Sequence, residues 1–407
     1  MIRISAFRIT RRKNRVMALI THYSLKTLYL LCRVATLRVF SGRKPVPLDV
    51  GRIRNVLIIR ADGLGDLVMT TPLLAKLRQI FPNSRIALLA ADASRELVEV
   101  MPVFDKVFYF DLPWFFKGRK RWLRRLFRFI LEMRKERFDL TVDVRGDFRN
   151  NILMYFFGAG SRLGFATTGC DFLLTHVVAL PVNSHMGAAG RAMIKYLCPD
   201  DRGQDGLKLW ITDEDRNFSE RLLRANGVDP GSKDMPVVTI HPGAKWDGRK
   251  WSPENYARIA DSLMDRYGAA VILAGSVGDV DVVRKITSSM KSKPIEAVGT
   301  TSLRQLLALC EKSDLFLGVD SGPVHMAAAM GTKVLALFGP ARREAVGPLG
   351  ANSTVITKQD DFDCCPCAQV VCERPGNSCM QAITVEDVWS AIRKQLNTEN
   401  ARVESAS

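Results

Sequence analysis

The segment Phe316–Pro340, FLGVDSGPVHMAAAMGTKVLALFGP, restricts the fold of this chain more than any other. An apolar strand ends at Asp320, a turn of serine, glycine and proline follows, a short helix carries His325 and closes at Gly331, and a second apolar strand begins. The free backbone N–H groups and the positive end of the dipole at such a helix start suit a phosphate or diphosphate. The segment therefore predicts an α/β domain with an anion site where a strand ends.

A second segment has the same layout. Val56–Asp66, VLIIRADGLGD, is an apolar strand that runs into a glycine-rich turn with Gly63 and Gly65, and a helix follows. Glycine lets a ligand approach the backbone closely. Two strand–turn–helix segments of this kind predict a ligand held between two α/β domains.

Length and periodicity agree with two domains. At 407 residues and 47% apolar content, the chain is long enough to bury two cores. Short apolar strands alternate with amphipathic helices, which predicts parallel sheets covered on both faces. We expect a basic arm over residues 1–50, an N-terminal Rossmann-like domain over 51–205, a C-terminal one over 206–396 with a cysteine-rich loop at 364–379 and a terminal helix, and a tail over 397–407.

Individual elements can also be predicted. The expected strands are Val56–Arg60, Arg85–Ala90, Lys106–Phe110, Leu140–Asp143, Arg162–Phe165, Val237–His241, Val271–Ala274, Leu315–Val319 and Val334–Phe338. The expected helices are Leu67–Ile80, Ser94–Met101, Trp122–Glu136, Met186–Leu197, one that starts at Pro253 after Ser252, Thr301–Glu311 and Thr384–Leu396.

The net charge of +17 is concentrated in two segments. Residues 1–44 contain 11 Lys/Arg and no Asp/Glu, and residues 114–137 contain 10 Lys/Arg against 2 Asp/Glu. In the second segment an apolar stripe that includes Trp122 lies opposite a basic face, which includes Arg121, Arg124, Arg125 and Arg128. A basic helix with an aromatic and aliphatic stripe favours an anionic membrane surface, and an ordinary surface helix is the alternative.

Other partners and locations are less compatible with the sequence. Nucleic-acid binding rests on charge alone, because no groove of basic residues interleaved with stacking aromatics is evident. The basic N-terminal segment is interrupted by Lys26, Arg33 and Arg38, so it lacks the run of ~20 apolar residues that spans a bilayer. It also lacks the pattern of a cleaved signal peptide. We expect a cytoplasmic protein at the inner face of a membrane.

The nine cysteines fall into two groups. Four are scattered in apolar or helical contexts and are expected to be small core residues. The others form the cluster Cys364, Cys365, Cys367, Cys372 and Cys379. Clustered cysteines in a cytosolic chain point to metal before disulfide. Their spacing fits no common zinc site well, however, which favours a free or disulfide-pinned loop.

Three blocks of sequence resemble glycosyltransferase family 9, the group of ADP-heptose:lipopolysaccharide heptosyltransferases. They are Arg60–Asp66 with Thr71-Pro72-Leu73, His241–Lys245 with Arg249–Pro253, and Asp320–His325 through Phe338-Gly339-Pro340. The resemblance covers roughly residues 53–395. It implies a GT-B architecture, in which two Rossmann-like domains face a central cleft and the nucleotide-sugar lies chiefly on the C-terminal domain.

The resemblance also implies a reaction. An acceptor hydroxyl attacks the anomeric carbon with inversion as the nucleotide diphosphate leaves, which needs a general base and positive charge around the diphosphate. The position that matches the base is Asp66; Asp62 is the rival carboxylate, and stabilisation of the helix start is the alternative role for Asp66. ADP-heptose is the expected donor and lipopolysaccharide core the expected acceptor. No cofactor or metal is implied.

The remaining candidate residues surround the donor. The backbone of Ser321 and Gly322, with Lys245, Arg249 and Lys250, is expected at the diphosphate, and whether Arg249 or Lys250 makes the contact stays open. A solvated charge is an equal alternative for Lys245. His325 is expected to touch the diphosphate or sugar, or else to satisfy a buried hydrogen bond. Asp320 is expected to orient the turn or bind a sugar hydroxyl, and Asp279 to lie near the ribose.

Two other functions remain open on the sequence. The same fold could use a different hexose or N-acetylhexosamine donor, since donor choice depends on pocket shape. A non-catalytic protein that binds glycan or anionic lipid at the membrane surface is the alternative from another class. The presence of Asp66, Asp320 and His325 argues against the second, because a decayed site has no need of them.

Overall fold

The computed structural model describes residues 48–114, 122–180, 184–203, 206–232, 234–367, 372, 374, 376 and 378–404. Two predictions fall on other residues. Nearly all of the expected basic amphipathic N-terminal arm, and Arg121 of the expected basic surface, lie outside the described residues.

The first half of the chain forms a six-stranded sheet in the order β3-β2-β1-β4-β5-β6. The β1–β4, β2–β3, β4–β5 and β5–β6 pairs are parallel. The strands are β1 (Asn55–Arg60), β2 (Arg85–Ala90), β3 (Lys106–Tyr109), β4 (Leu140–Asp143), β5 (Ser161–Phe165) and β6 (His176–Val178).

The second half forms another six-stranded sheet, in the order β12-β11-β10-β7-β8-β9, and its strand pairs are all parallel. The strands are β7 (Val237–His241), β8 (Ala270–Gly275), β9 (Ile295–Val298), β10 (Leu315–Val319), β11 (Lys333–Phe338) and β12 (Ser353–Thr357). Numbered within its own sheet, each half has the strand order 3-2-1-4-5-6 of dinucleotide-binding domains. The predicted α/β class with two Rossmann-like sheets is confirmed.

Helices connect the strands. They are α1 (Leu64–Ile80), α2 (Arg95–Val98), α3 (Trp122–Lys135), α4 (Phe148–Phe157), α5 (Gly187–Leu197), α6 (Asp213–Ala225), α7 (Pro253–Tyr267), α8 (Val280–Ser289), α9 (Leu303–Glu311), α10 (Gly322–Ala329), α11 (Arg343–Val346) and α12 (Val385–Glu404). Within the described residues, no helix is both long and apolar enough to cross a membrane.

Several elements were not expected from the sequence: α4, α6, α8, α11, β6, β9 and β12. One expected helix is also shorter than predicted, because α2 spans only Arg95–Val98 after a turn of 3-10 helix. The short strands at Ile295–Val298 and Ser353–Thr357 lie at the two edges of the second sheet and include few fully buried residues, which weakens their apolar signal in the sequence.

By its internal contacts the chain divides into two compact units. Within the described residues, the first contains 48–59, 83–85 and 122–179, and the second contains 60–82, 86–114 and everything from 180 onward. Helix α1 and the whole second sheet therefore belong to the same unit. Buried apolar side chains cover both faces of this sheet, which explains why its central strands are apolar without alternation.

Candidate functional site

The first glycine-rich turn begins where β1 ends. Gly63 is the N-cap of α1, and its N–H lies 3.3 Å from Oδ2 of Asp66, three residues into the turn. The carboxylate therefore satisfies a free N–H at the helix start, as the structural alternative for this residue predicts. Its side chain is 22% exposed, and it lines a cavity of about 890 Å³ in the second unit.

The second turn lies at the end of β10 and opens into the same cavity. Asp320 follows the strand, Ser321 is the N-cap of α10, and Pro323 occupies the first turn of that helix. The Ser321 hydroxyl donates to the carbonyl oxygen of Val319 (3.0 Å), a hydrogen bond within the turn. The residues at the start of α10 line the cavity. Helix α10 itself has no acidic residue in its first turn that would compete with an anionic ligand.

Glycines allow these two helix starts to pack against each other. A Cβ atom at Gly65 would lie 2.9 Å from Cδ2 of His325, and one at Gly322 would lie 3.2 Å from a side-chain carbon of Leu64. Larger residues would force the two turns apart. The close approach places the Asp66 carboxylate on the same cavity wall as the N-terminus of α10.

Arg249 lines this cavity and forms an ion pair with Asp320. Its Nη1 atom lies 2.9 Å from Oδ2 of Asp320, which is almost fully buried. Burial raises the pKa of Asp320, the Arg249 guanidinium opposes that rise, and the nearby Asp66 adds to it. Lys250 points elsewhere: it pairs with Asp247 (2.8 Å) and does not line the cavity.

All the other predicted substrate-binding residues line the cavity: Gly63, Gly65, Lys245, Arg249, Asp279, Asp320, Ser321, Gly322 and His325. Lys245 lies there with its ammonium 5.3 Å from the ring centre of Trp246. The structure thus brings together the candidates from all three sequence blocks and separates Lys250 from them.

Asp279 is held by its own turn. Its Oδ2 accepts hydrogen bonds from the N–H (2.8 Å) and the hydroxyl (2.7 Å) of Ser276. A Cβ atom at Gly243 would lie 2.2 Å from Oδ1 of Asp279, so the carboxylate also lies directly against the His241–Lys245 block. These contacts fix the shape of two loops that line the cavity.

His325 is buried in a neutral form. Burial is the main reason that its pKa is lowered to about 4, and the nearby His185 contributes in the same direction. Within the described part of the chain, its Nδ1 atom has no hydrogen-bond partner. A neutral imidazole on this wall can offer one donor and one acceptor to a ligand.

Glu96 and His241 line the cavity but were not predicted as substrate-binding residues. Glu96 on α2 accepts a hydrogen bond from the N–H of Leu303 (2.7 Å), at the start of α9, and His241 is the last residue of β7. Nothing in the local sequence around Glu96 indicates this role, because its partner is 207 residues away. A histidine that ends an apolar strand was a usable signal for His241.

Comparisons with known proteins agree with the resemblance seen in the sequence. The sequence profile of glycosyltransferase family 9 (heptosyltransferase) matches residues 126–376, more than half of the chain. The chain belongs to this family. It is therefore a glycosyltransferase. The matched residues include the second and third sequence blocks but not Asp66, so the role of Asp66 has to be argued from its geometry.

Individual relatives of this glycosyltransferase are distant and cover most of it. The lipopolysaccharide core heptosyltransferase OpsX of Haemophilus influenzae is 22% identical over 86% of the chain and 99% of its own length. A family 9 glycosyltransferase from Veillonella parvula superposes with a TM-score of 0.71 at 23% identity, over 85% of this chain and 97% of that one. Escherichia coli ADP-heptose lipopolysaccharide heptosyltransferase II gives 0.65 at 20% identity, over 85% and 99%. The two structures share its fold.

The cysteine-rich loop of the glycosyltransferase has free thiols where it is described. Cys364, Cys367, Cys372 and Cys379 line a separate cavity of about 160 Å³. Burial, with smaller contributions from neighbouring thiols, raises the pKa of Cys365 to about 12, so that this thiol stays protonated. In the described part of the chain, no three side chains are placed to bind a metal ion.

Helix α3 of the glycosyltransferase differs from the predicted single apolar stripe. Phe129 and Met133 are buried, and Phe129 packs edge-on against Phe157 of α4. On the outer surface Trp122 is 42% exposed, Leu123 65% and Phe127 62%. Arg124, Arg125 and Arg128 are also exposed. Apolar residues therefore occupy two faces of the helix, one in the core and one in solvent among arginines.

Proposed function

We propose that this enzyme transfers heptose from ADP-heptose to a lipopolysaccharide core acceptor, with inversion at the anomeric carbon. The observation that carries the proposal is that the Asp66 carboxylate lines the same cavity wall as the packed N-terminus of α10. A carboxylate base and an anion site that line one cavity match the two needs of inverting transfer. The names of OpsX and of heptosyltransferase II support the choice of acceptor and donor.

In this mechanism Asp66 accepts the proton of the acceptor hydroxyl as its oxygen attacks the anomeric carbon. The bond from that carbon to the diphosphate breaks, and the leaving ADP carries the bonding electrons. The N–H groups of Ser321 and Gly322 and the cations of Arg249 and Lys245 stabilise the charge that develops there. Asp320 orients Arg249 toward the diphosphate, since it holds the guanidinium at 2.9 Å. His325 contributes a neutral hydrogen-bonding group.

We assign the donor to the C-terminal domain (206–396) and the acceptor to the N-terminal domain (51–205). Asp279 shapes the loop beside the nucleotide through its contacts with Ser276 and the Gly243 backbone. Lys250 is not assigned a substrate contact, because its ammonium is paired with the exposed Asp247.

The test measures release of nucleoside diphosphate from ADP-heptose, and from UDP- and ADP-hexoses, with a truncated lipopolysaccharide acceptor. We expect release from ADP-heptose alone, and loss of at least 10²-fold in kcat for Asp66→Asn with unchanged ADP affinity. Turnover with a different sugar would keep the fold and base and replace the donor. ADP binding without turnover from any donor would favour the non-catalytic alternative.

The second part of the proposal is a peripheral site on the inner face of the bacterial inner membrane, where the lipid-anchored acceptor is found. The solvent face of α3 supports it, since Leu123 and Phe127 are one helical turn apart and arginines flank them. Exposed apolar side chains suit the acyl region, and the guanidinium groups suit anionic headgroups.

Vesicle cosedimentation tests the membrane site. We expect binding to phosphatidylglycerol vesicles that weakens with salt, and little binding to phosphatidylcholine. Glutamine at Arg121, Arg124, Arg125 and Arg128, or serine at Leu123 and Phe127, should each reduce it. The matched control neutralises four exposed cations elsewhere, Arg284, Lys285, Lys291 and Lys293. Equal loss in the control would mean that net charge alone drives binding, and unchanged binding of both α3 variants would refute the site.

A further inference from the structure

Arg60 is a buried arginine at the end of β1, next to the proposed base. It is 4% exposed. Its Nε atom donates to the backbone oxygen of Asp66 (3.0 Å) and lies 3.3 Å from Oδ1 of Asp62, while Nη2 lies 3.6 Å from Oδ1 of Asp66. Burying a guanidinium group costs free energy unless its charge is paired and its N–H groups are hydrogen-bonded. The contacts of Arg60 therefore need an explanation.

The contacts of Arg60 are concentrated on Asp66. The guanidinium reaches both the backbone oxygen and the carboxylate of this residue, and the opposite carboxylate oxygen faces the Gly63 N–H (3.3 Å). The Thr70 hydroxyl donates to the same backbone oxygen (2.9 Å). Asp66 is thus held from β1, from its own turn and from α1, which restricts both the position of its backbone and the direction of its carboxylate.

A simpler role for Arg60 is to neutralise Asp62, which is 6% exposed and just two residues away. This role explains the Nε–Oδ1 contact. It does not explain why Nε also donates to the Asp66 carbonyl or why Nη2 is directed at the Asp66 carboxylate. The two roles make different predictions once Asp62 is made neutral.

We infer that Arg60 is a positioning residue that holds the Asp66 carboxylate directed into the cavity, where it accepts the proton of the attacking acceptor hydroxyl. The inference rests on the proposed role of Asp66 as the base. Arg60 acts through Asp66 and touches neither substrate. A shift of the carboxylate by about 1 Å is enough to lower the rate of such a reaction by about 10²-fold.

The experiment compares Arg60→Lys, Arg60→Met and the double variant Arg60→Met/Asp62→Asn with wild type and with Asp62→Asn. Thermal unfolding and ADP titration report whether each variant is folded with an intact donor site. For Arg60→Met we expect kcat to fall by about 30- to 100-fold with KM for ADP-heptose within about threefold of wild type. Arg60→Lys, which keeps the charge but not the fork of donors, should recover part of that loss.

If Arg60→Met alone does not fold, the double variant provides the test, because it also removes the buried charge of Asp62. We expect it to be as stable as Asp62→Asn and still to turn over at least tenfold more slowly than Asp62→Asn. Turnover within threefold of Asp62→Asn would overturn the inference, since Arg60 would then serve only Asp62. A loss of ADP affinity parallel to the loss of kcat would also overturn it.

Asp66→Asn separates this inference from the proposed function. If Asp66→Asn keeps wild-type turnover, the proposed base is wrong and the inference fails with it. If Asp66→Asn is inactive while the double variant is fully active, only the inference about Arg60 fails. Adding Arg60→Met to Asp66→Asn should cost less than threefold in residual turnover, because Arg60 acts through Asp66, and a full additive loss would contradict that.

Discussion

Nη1 of Arg249 lies 2.9 Å from Oδ2 of Asp320, and this pair links the second and third sequence blocks at the cavity wall. Asp320 is 6% exposed, while the arginine side chain is 31% exposed. Burial raises the pKa of Asp320, so the fold favours its protonated form. The stability that this carboxyl contributes is therefore present at low pH and is lost as the pH rises through its folded pKa. Arg249 limits that loss.

Arg249→Met should consequently destabilise the protein in a pH-dependent way. At pH 7.5 it leaves a buried carboxylate without its cation, and we expect the free energy of unfolding to fall by about 1–3 kcal/mol. At pH 4 the raised pKa of Asp320 leaves a smaller fraction of the carboxyl ionised, so the loss should be smaller than at pH 7.5. Denaturant unfolding of wild type and variant at both pH values measures the difference.

Two variants serve as controls for this pair. Lys250→Met removes a neighbouring cation whose partner, Asp247, is exposed, so it should cost less than about 1 kcal/mol at either pH. Arg249→Met/Asp320→Asn should regain the stability lost at pH 7.5 and remain slow in turnover. An equal loss at pH 4 and pH 7.5 for Arg249→Met would show that the pair does not control the charge of Asp320.

Gly65→Ala tests the packing of the two helix starts. The added Cβ would lie 2.9 Å from Cδ2 of the buried His325 ring, so the turns must separate. We expect a loss of about 1–3 kcal/mol in the free energy of unfolding and a fall in kcat, because Asp66 moves relative to α10. The matched control is Gly206→Ala, since a Cβ there meets no atom within 4 Å.

A double-mutant cycle identifies the cause of that loss. If the imidazole is what the new methyl group meets, Gly65→Ala should cost less in a His325→Ala background than in wild type. The same cost in both backgrounds would mean that backbone preference at residue 65, and not the approach of the two turns, sets the effect.

The sequence predicted both strand–turn–helix segments because each combines an apolar strand with glycine and a polar residue at a fixed place. It could not choose between Arg249 and Lys250. The two are adjacent, and only the 3-10 turn over Asp247–Arg249 decides which one enters the cavity. The role of Glu96 could not be predicted either, because it contacts Leu303 at the start of α9, which is 207 residues away in the sequence.

The surface of α3 could be predicted only in part. Its composition showed that it is both basic and apolar, but apolar residues occupy more than one face of a 14-residue helix. Which face is buried depends on α4, against which Phe129 packs, and α4 itself was not predicted. The alternation of apolar and polar residues that marks most of the other helices is weak in Phe148–Phe157, where Asn150 and Asn151 are buried as well as the apolar residues.

Thr71→Val tests how α1 accommodates a proline. Pro72 lacks the N–H that would bond the carbonyl oxygen of Val68, and the buried Thr71 hydroxyl donates to that oxygen instead (2.7 Å). The same hydroxyl accepts from the N–H of Lys208 (3.0 Å), in the segment between α5 and α6. Valine has the same shape without the hydroxyl, so we expect a loss of about 1–3 kcal/mol in the free energy of unfolding.

The substitution Pro72→Ala distinguishes the two contacts of Thr71. It restores the N–H for Val68, so the cost of Thr71→Val in that background should shrink to the part due to Lys208. Urea unfolding of the four proteins of this cycle measures the coupling. Zero coupling between the two positions would show that the hydroxyl does not compensate for the proline.

His325 makes the free energy of unfolding depend on pH in the opposite direction to Asp320. Its pKa of about 4 lies below the unfolded value of 6.5, so the fold favours neutral imidazole. The stability from this residue is complete above pH 6.5 and is lost as the pH falls toward 4, by about 3 kcal/mol at most. His325→Gln should remove that slope between pH 6.5 and 4, as measured by denaturant unfolding. Because the imidazole is already neutral, ADP affinity should not fall as the pH rises from 6 to 8. A decrease across that range would instead indicate a protonated His325 at the diphosphate.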